Sequence, residues 1–199
     1  FLKKNKIQNP HLDTELILSK VVKRKREEIL LNSHNELKNT DITKFKNYLL
    51  RRHQKEPMAY ILGYKHFWKH KFLTNKFVLI PRPDTELIIE ETLRYLSTDK
   101  SKKILDVGTG SGCIVVSLLK ERPKCVATAI DISKKALNVA KINAKLHQLE
   151  NKINFINIDI DKYKSNNYDL IISNPPYINN IDLNRLDEDV KFHEPIVAL

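Results

Sequence analysis

The chain carries the sequence KILDVGTGSGCI at residues 103–114, where an apolar run leads into three glycines and then into a second apolar run. This pattern predicts a strand, a tight turn and a helix that includes Val115 to Leu119. At such a junction the bare backbone and the start of the helix face whatever binds there. The stretch therefore predicts an α/β fold with a ligand site at the turn, residues 108–112.

The spacing of the glycines distinguishes two classes of ligand. A dinucleotide-binding fingerprint, G-x-G-x-x-G, requires glycine at Cys113, whereas the third glycine of this chain is Gly112. With an acid at Asp106, the turn suits S-adenosylmethionine, whose amino-acid end offers a carboxylate to N–H groups and an ammonium to the acid. The predicted cofactor-binding residues of this segment are Asp106, Gly108, Thr109, Gly110, Ser111 and Gly112.

Three further strands are predicted at residues 126–130, 153–158 and 168–173, with a helix at residues 133–147 between the first two. Alternating strands and helices predict parallel pairing, with ligands at the carboxyl ends of the strands. Asp131 ends the second strand 19 residues after Gly112, where an acid hydrogen-bonds ribose hydroxyls, and Asp159 ends the third. Each acid alone is more often a helix cap or a solvated turn residue, but their common position at strand ends favours a cofactor site.

The fourth strand is followed by Asn174, Pro175, Pro176 and Tyr177. The two prolines stiffen this loop and, because they lack N–H groups, leave a backbone carbonyl beside Asn174 free to accept. The Asn174 side-chain oxygen is a second acceptor, and Tyr177 offers an aromatic face. Two acceptors fix both hydrogens of a planar NH2 group and leave its nitrogen directed at a methyl donor. We therefore predict Asn174, Pro175 and Tyr177 as catalytic residues, all four as substrate-binding residues, and Asn174 also as a cofactor contact.

These motifs and three others resemble those of class I S-adenosylmethionine-dependent methyltransferases, and within that class the HemK/PrmC family of release factor glutamine-N5 methyltransferases. The matching segments are PMAYILG at 57–63, LIPRPDTE at 79–86, DVGTGSG at 106–112, NPPYI at 174–178 and EP at 194–195. The glycine turn is generic, and Asn-Pro-Pro-Tyr also occurs in adenine-N6 DNA methyltransferases. The segment from Pro81 to Glu86 is the specific mark, and the resemblance covers nearly the whole chain.

The resemblance implies a Rossmann-like sheet and methyl transfer from S-adenosylmethionine to the side-chain amide nitrogen (N5) of a glutamine in peptide chain release factors, which modulates translation termination. It implies a cytoplasmic enzyme that requires no metal, and we expect a monomer without membrane association or a nucleic-acid substrate. Ile160 stands where family members can carry an aromatic residue that packs on adenine, so Ile160 joins the predicted cofactor-binding residues. His193 stands where Phe or Tyr is expected before Glu194.

The N-terminal part of the chain differs in charge from the rest. Residues 1–80 contain 18 Lys and Arg against 7 Asp and Glu, a net charge of +11, whereas residues 81–199 contain 17 of each. Helices are predicted at residues 12–22, 26–31 and 42–51, the last capped by Asp41, and a β-hairpin at residues 64–80. These elements predict three parts: a basic helical substrate-binding domain (1–62), a β-hairpin linker (63–82) and a methyltransferase domain (83–199).

The remaining features of the sequence assign no further site, and several argue against particular kinds of function. The basic run from Lys23 to Arg26 is in the simplest interpretation a solvated helix face, and the alternatives are a nucleic-acid patch or a release factor contact. His66 and His70 lie in the predicted hairpin without further ligands nearby, which argues against a metal site. Cys113 and Cys125 are predicted to be buried free thiols in a reducing compartment. No apolar run approaches the ~18 residues of a membrane span, and no signal peptide pattern is present.

Two alternatives remain open from the sequence. An adenine-N6 nucleic-acid methyltransferase needs the same acceptors for a flat NH2 group and would use the basic half for phosphate contacts. Only four sheet strands are predicted, whereas the class I sheet of the resembling family has seven, so we expect a C-terminally truncated member. The second alternative is therefore an inactive truncated chain that only binds the cofactor or the release factor.

Overall fold

The computed structural model describes residues 1–5, 7–31, 36–164, 167–179 and 182–199. They form two compact units, one of Phe1–Gly63 with Leu186–His193 and one of Tyr64–Arg185 with Glu194–Leu199. In the described part of the chain the α-helices are α1 (Pro10–Val22), α2 (Arg26–Leu31), α3 (Asn39–His53), α4 (Met58–Leu62), α5 (Glu86–Tyr95), α6 (Cys113–Glu121), α7 (Lys134–Leu146) and α8 (Glu188–His193). The strands are β1 (Tyr64–Phe67), β2 (His70–Leu73), β3 (Lys103–Val107), β4 (Val126–Asp131), β5 (Ile153–Asn157) and β6 (Leu170–Ser173). Short 3-10 helices lie at Leu2–Asn5, Pro83–Thr85, Ile160–Lys162, Asp182–Arg185 and Ile196–Ala198.

The first unit contains α1 to α4 and α8, and a buried ion pair joins two of these helices. Arg52 Nε of α3 donates to Asp13 Oδ2 of α1 at 2.7 Å, and both residues are buried. Arg52 Nη1 also donates to the carbonyl of Glu56 at 3.0 Å. Because a buried charge is tolerated only when it is paired and hydrogen-bonded, this pair fixes α1 against α3.

Two helices of the first unit, α1 and α3, begin earlier than predicted. α3 begins at Asn39, three residues before the predicted start, and Lys38 occupies the N-cap position. The predicted cap at Asp41 is therefore wrong: Asp41 lies in the first turn, where a negative charge is favoured by the helix dipole. α2 has the predicted bounds. α4 was not predicted, because a helix of only five residues is too short to show a periodic pattern of apolar residues.

The second unit is built on a parallel sheet of four strands in the order β5-β4-β3-β6. Asp106 of β3 lies opposite Ala129 of β4 and Ile172 of β6. The predicted parallel α/β fold is therefore confirmed, and the carboxyl ends of the strands share one edge. β6 is shorter than predicted because its pairing with β3 begins at Leu170, opposite Ile104.

The predicted hairpin is confirmed but is shorter than expected. β1 pairs with β2 in antiparallel register, and Phe67 and Phe72 point into the core. The strand ends at Leu73 and does not continue to residue 80. Its end is followed by an Asx turn, in which the Asn75 side-chain oxygen accepts the N–H of Phe77 at 3.0 Å.

The core of the second unit fixes the ends of the strands. α6 is buried from Cys113 to Leu119 and shares one apolar core with Ile104 of β3, Ala129 of β4 and Phe72 of β2. Each large apolar side chain buried in this way contributes about 1.5–3 kcal/mol. The turns that follow β3, β4 and β6 therefore have fixed positions at one edge of the sheet.

Candidate functional site

The turn after β3 is closed by hydrogen bonds within the protein. The N–H groups of Gly108 and Thr109 both donate to the carbonyl of Ile130, at 2.9 and 3.0 Å. The N–H of Gly112 donates to the carbonyl of Thr109, and that of Gly110 donates to a carboxylate oxygen at the end of β4. Four of the five turn N–H groups thus have acceptors within the protein, and the predicted contact of the turn with a ligand carboxylate stays a prediction.

The glycines of this turn leave space on one side and pack closely on the other. Gly108 and Gly110 have φ of +70° and +56°, and a Cβ at either position would meet nothing closer than 3.9 Å. Gly112 has φ of +78°, and its Cβ would lie 3.2 Å from Ala140 Cβ of α7. Gly108 and Gly110 therefore form an open cradle of bare backbone, whereas Gly112 serves the close approach of two helices.

Asp131, at the end of β4, fixes both the turn and the start of α7. Its Oδ2 accepts the N–H of Gly110 at 2.9 Å, and its Oδ1 accepts the N–H of Ser133 at 2.8 Å. Each carboxylate oxygen has two lone pairs, so each retains capacity for one more hydrogen bond. The predicted role of Asp131 towards ribose hydroxyls is compatible with this geometry and remains a prediction.

Asp106, near the end of β3, is a buried carboxyl group with one unused oxygen. Its Oδ2 accepts the hydroxyl of Thr109 at 2.6 Å, whereas its Oδ1 has no partner among the described residues. Burial raises the pKa of Asp106 to about 7, the Thr109 hydrogen bond opposes the rise, and the charge of Asp131 adds to it. The group is therefore partly protonated near neutral pH, and a nearby cation would favour its charged form.

The loop after β6 is held through its backbone. The N–H groups of Tyr177 and Ile178 donate to the carbonyl of Leu199, at 3.1 and 2.9 Å. The Asn174 side chain is half-buried and hydrogen-bonds to no described residue, and the Tyr177 side chain is 80% exposed. The loop is thus fixed while both side chains remain available to a ligand.

One cavity in the second unit gathers part of the predicted site. Seven predicted residues line it: Gly108, Thr109, Gly110, Ser111, Asp131, Asn174 and Pro176. The other six do not: Asp106 and Gly112 are buried beside it, Pro175 and Tyr177 are exposed on the loop, and Asp159 and Ile160 lie at the 3-10 helix after β5. Asp159 there accepts the N–H of Asp161 at 3.1 Å and acts as a cap.

The remaining walls of the cavity come from segments that the sequence analysis assigned to no site. They are Phe77, Val78, Leu79, Pro81, Arg82 and Thr85 before the sheet, Cys113, Ile114, Ser133 and Ala136 from the helix starts, and Pro195, Val197 and Ala198 at the end of the chain. Two of these segments contain Pro81 to Glu86 and Glu194-Pro195, which carried only the family resemblance. Those motifs were the signal that both segments belong to the site.

Asn143 of α7 is a further residue that sequence reasoning missed. Its fully buried amide donates to the carbonyls of Leu73 and Ser111 at 3.0 and 2.8 Å, and its oxygen accepts the Leu73 N–H at 2.7 Å. Asn143 therefore connects the hairpin to the glycine turn. An amide between Ala140 and Ala144 on an apolar helix face was the available signal.

Several expected absences concern only the described residues. Within these ranges no three His, Cys, Asp or Glu side chains are grouped closely enough for a metal ion. Over the same part of the chain, no helix has the length and apolar character needed to cross a membrane. Cys113 and Cys125 are buried free thiols, as predicted, and burial raises the pKa of Cys113 to about 12, so its thiol stays protonated.

Two family models match the chain. The PrmC N-terminal domain matches residues 1–63, and the methyltransferase small domain matches residues 85–187. The first match coincides with the basic helical part and the second includes the glycine turn and the Asn174 loop.

Several curated relatives of the chain carry the name release factor glutamine methyltransferase. The chain is 38% identical to the protein of Buchnera aphidicola subsp. Baizongia pistaciae, over 96% of this chain and 68% of that protein. It is 38% identical to that of Caulobacter vibrioides, over 100% of this chain and 69% of that protein. For Fusobacterium nucleatum the identity is 39%, over 100% of this chain and 57% of that protein. The chain thus spans between 57% and 69% of the length of these three relatives.

Proposed function

The chain belongs to the family of release factor glutamine methyltransferases, and we propose that it transfers a methyl group from S-adenosylmethionine to the side-chain amide nitrogen of a glutamine in a peptide chain release factor. The observation that carries the proposal is the cavity, where the glycine turn and the Asn174 loop meet at one edge of the sheet. In this proposal the glycine turn binds the cofactor, and the Asn174 loop binds the glutamine that accepts the methyl group. The reaction belongs in the cytoplasm, where release factors act.

The residues of the cavity fit S-adenosylmethionine. The open backbone at Gly108 and Gly110 leaves room for a ligand, and Asp106, buried beside the cavity, has an unused Oδ1 that suits an ammonium group. Arg82 is the one cationic side chain among the described lining residues, and only its Nη2 donates to a described residue. Its other N–H groups suit a carboxylate, and Asp131 suits ribose hydroxyls. When bound, this cofactor supplies an electrophilic sulfonium methyl group.

The chain's own contribution to the reaction is orientation of the amide. The side-chain oxygen of Asn174 and the carbonyl of Pro175 accept the two hydrogens of the glutamine NH2, and the ring of Tyr177 supports the amide plane. Because an amide lone pair is delocalised and no strong base lines the described cavity, positioning supplies most of the acceleration. Asn174 meets the requirement for this role, since its side chain is bonded to no described residue.

Mass spectrometry of a release factor incubated with the chain and S-adenosylmethionine tests the proposal. The expected product is one added methyl group on a single glutamine, absent when that glutamine is replaced by glutamate. A release factor that gains no methyl group, or gains it on another residue type, contradicts the proposed function.

One observation favours a second candidate, an adenine-N6 nucleic-acid methyltransferase. The net charge of +11 lies within residues 1–80, and such an excess suits phosphate contacts. The match of residues 1–63 to the PrmC N-terminal domain favours the protein substrate instead. Methylation of duplex DNA in place of the release factor would support the second candidate.

A further inference from the structure

Glu194 is a buried carboxylate bonded to a cavity wall. Its side chain is only 1% exposed. Oε2 accepts the N–H of Ile80 at 3.1 Å, and Oε1 accepts Nη2 of Arg82 at 2.5 Å. A buried carboxylate is costly unless it is paired and hydrogen-bonded, so these two contacts hold it in place. One side chain thus fixes two points of the segment that contributes Pro81 and Arg82 to the cavity.

The residues after Glu194 connect it to the Asn174 loop. The Ala198 N–H donates to the carbonyl of Pro195 at 2.8 Å, which closes a short turn that lines the cavity. The carbonyl of Leu199, directly after this turn, accepts the N–H groups of both Tyr177 and Ile178. A continuous series of bonded contacts therefore runs from Arg82 through Glu194 to the loop that carries Asn174.

We propose that Glu194 is a positioning residue for methyl transfer, which holds Arg82 at the cavity and, through the turn that follows it, fixes the Asn174 loop. The proposed role rests on the proposed function, because the loop is assigned there to the methyl acceptor. Glu194 itself does not line the cavity. It acts through the segments that do.

Glu121 provides a matched control in the same unit. Its Oε1 accepts Trp68 Nε1 at 2.8 Å and Lys69 Nζ at 2.7 Å, so this carboxylate also receives one neutral and one charged donor. Neither partner lines the cavity. Loss of Glu121 is therefore expected to affect the hairpin without reaching the Asn174 loop.

Amide hydrogen exchange followed by NMR, without any ligand, tests the connection directly. In Glu194→Ala the amides of Tyr177 and Ile178 are expected to exchange about tenfold faster or more, because their shared acceptor is released. The amides of Gly108 and Thr109, which donate to Ile130, are expected to stay as protected as in the unaltered chain. Glu121→Ala should leave all four amides unchanged.

Glu194→Gln keeps the size of the side chain and removes its charge. This variant keeps the test possible if the Glu194→Ala chain does not fold. It is expected to give a smaller acceleration at the same two amides. Unchanged exchange at Tyr177 and Ile178 in Glu194→Gln overturns the proposal. An equal acceleration at all four amides overturns it as well, since that is the behaviour of a general stabilising residue.

Kinetics supply the second readout. Glu194→Gln should lower kcat for release factor methylation by about tenfold to a hundredfold, the scale of a displaced reacting group, while cofactor affinity changes less than kcat. A loss confined to cofactor affinity contradicts a role at the acceptor loop. If the unaltered chain methylates no release factor, the proposed function fails, whereas the exchange result still decides whether Glu194 fixes the loop.

Discussion

The carboxylates at the two ends of the parallel sheet differ in their burial and in their hydrogen bonds. At the amino end, Asp169 accepts Lys102 Nζ at 2.6 Å and the N–H of Lys103 at 2.8 Å, so both of its oxygens are bonded at the surface. At the carboxyl end, Asp106 is buried with one oxygen unbonded among the described residues. The two hydrogen bonds of a surface carboxylate such as Asp169 indicate a structural role. A buried carboxylate oxygen without a hydrogen-bond partner indicates instead a place where a ligand can donate.

The same difference is seen in the pKa values. The hydrogen bond from Lys102 and that from the Lys103 N–H lower the pKa of Asp169 below its ordinary value. Burial raises the pKa of Asp106 to about 7. A pKa that is perturbed by burial beside a cavity marks a candidate functional group, whereas one that is perturbed by an exposed ion pair does not. Substitutions at the two ends should therefore differ in their effect on binding.

The largest effect is expected from Gly110→Val, which should abolish S-adenosylmethionine binding in calorimetry. A side chain there would occupy the open space that the ligand needs, and φ of +56° strains it further. Gly63→Val is the control, because Gly63 has φ of +84° and equally open surroundings but does not line the cavity. Normal affinity in Gly110→Val would remove the cofactor site from the carboxyl end.

Asn174→Ala should lower methyl transfer by about a hundredfold or more while leaving cofactor affinity nearly intact, because it removes one acceptor for the substrate amide. Asn154→Ala, on the exposed part of β5 towards the amino end, should change neither quantity. Steady-state kinetics and calorimetry on both variants separate the two effects. Should Asn174→Ala act wholly on cofactor affinity, Asn174 is a binding residue and the orientation mechanism is wrong.

Asp131→Ala should weaken cofactor binding by about 1–3 kcal/mol, through lost hydrogen bonds to the ligand and a less fixed glycine turn. Asp169→Ala at the other end should leave affinity unchanged. Calorimetry at one pH and salt concentration measures both. Equal losses in the two variants would mean that affinity reports general stability and not the site.

The last prediction concerns the pH dependence of the free energy of unfolding, and not binding or methyl transfer. The folded pKa of Asp106, about 7, exceeds its ordinary value of 3.8, so the folded chain binds more protons between these values. Stability should therefore fall as pH rises from 4 to 7, by up to about 1.4 kcal/mol per pH unit from this group. Urea unfolding of the unaltered chain and Asp106→Asn at several pH values measures it. A contribution from Asp106 of the opposite sign contradicts the buried neutral carboxyl group. For Asp169 the sign is opposite: its contribution is lost as pH falls.

The features that the sequence predicted are those encoded within one segment. Apolar runs and glycine spacing indicate β3, the turn and α6, because strand, turn and helix preferences are local. The end of each strand places Asp131 and Asn174 at a common edge, since parallel strands share their direction. The cavity brings these two residues together with the turn.

The features that the sequence did not predict depend on distant contacts. The bonds from Glu194 to Ile80 and Arg82 join segments 114 and 112 residues apart, and no local pattern indicates such pairs. The N–H groups of Gly108 and Thr109 in the turn donate to Ile130, an acceptor from the neighbouring strand. Asp159 caps a 3-10 helix and lies outside the cavity lining. The sequence does not distinguish this cap from a ligand contact, because a carboxylate after a strand can accept from a nearby backbone N–H as readily as from a ligand.

The most direct test of a glutamine acceptor at the carboxyl end of the sheet is a tritiated-methyl transfer assay that offers a release factor, duplex DNA and tRNA in parallel. The expected result is label in the release factor alone, lost when its acceptor glutamine is replaced, with a shallow dependence on salt. Label in duplex DNA, an unlabelled release factor and binding that falls by roughly 0.9 decades per decade of salt for each phosphate neutralised would contradict it.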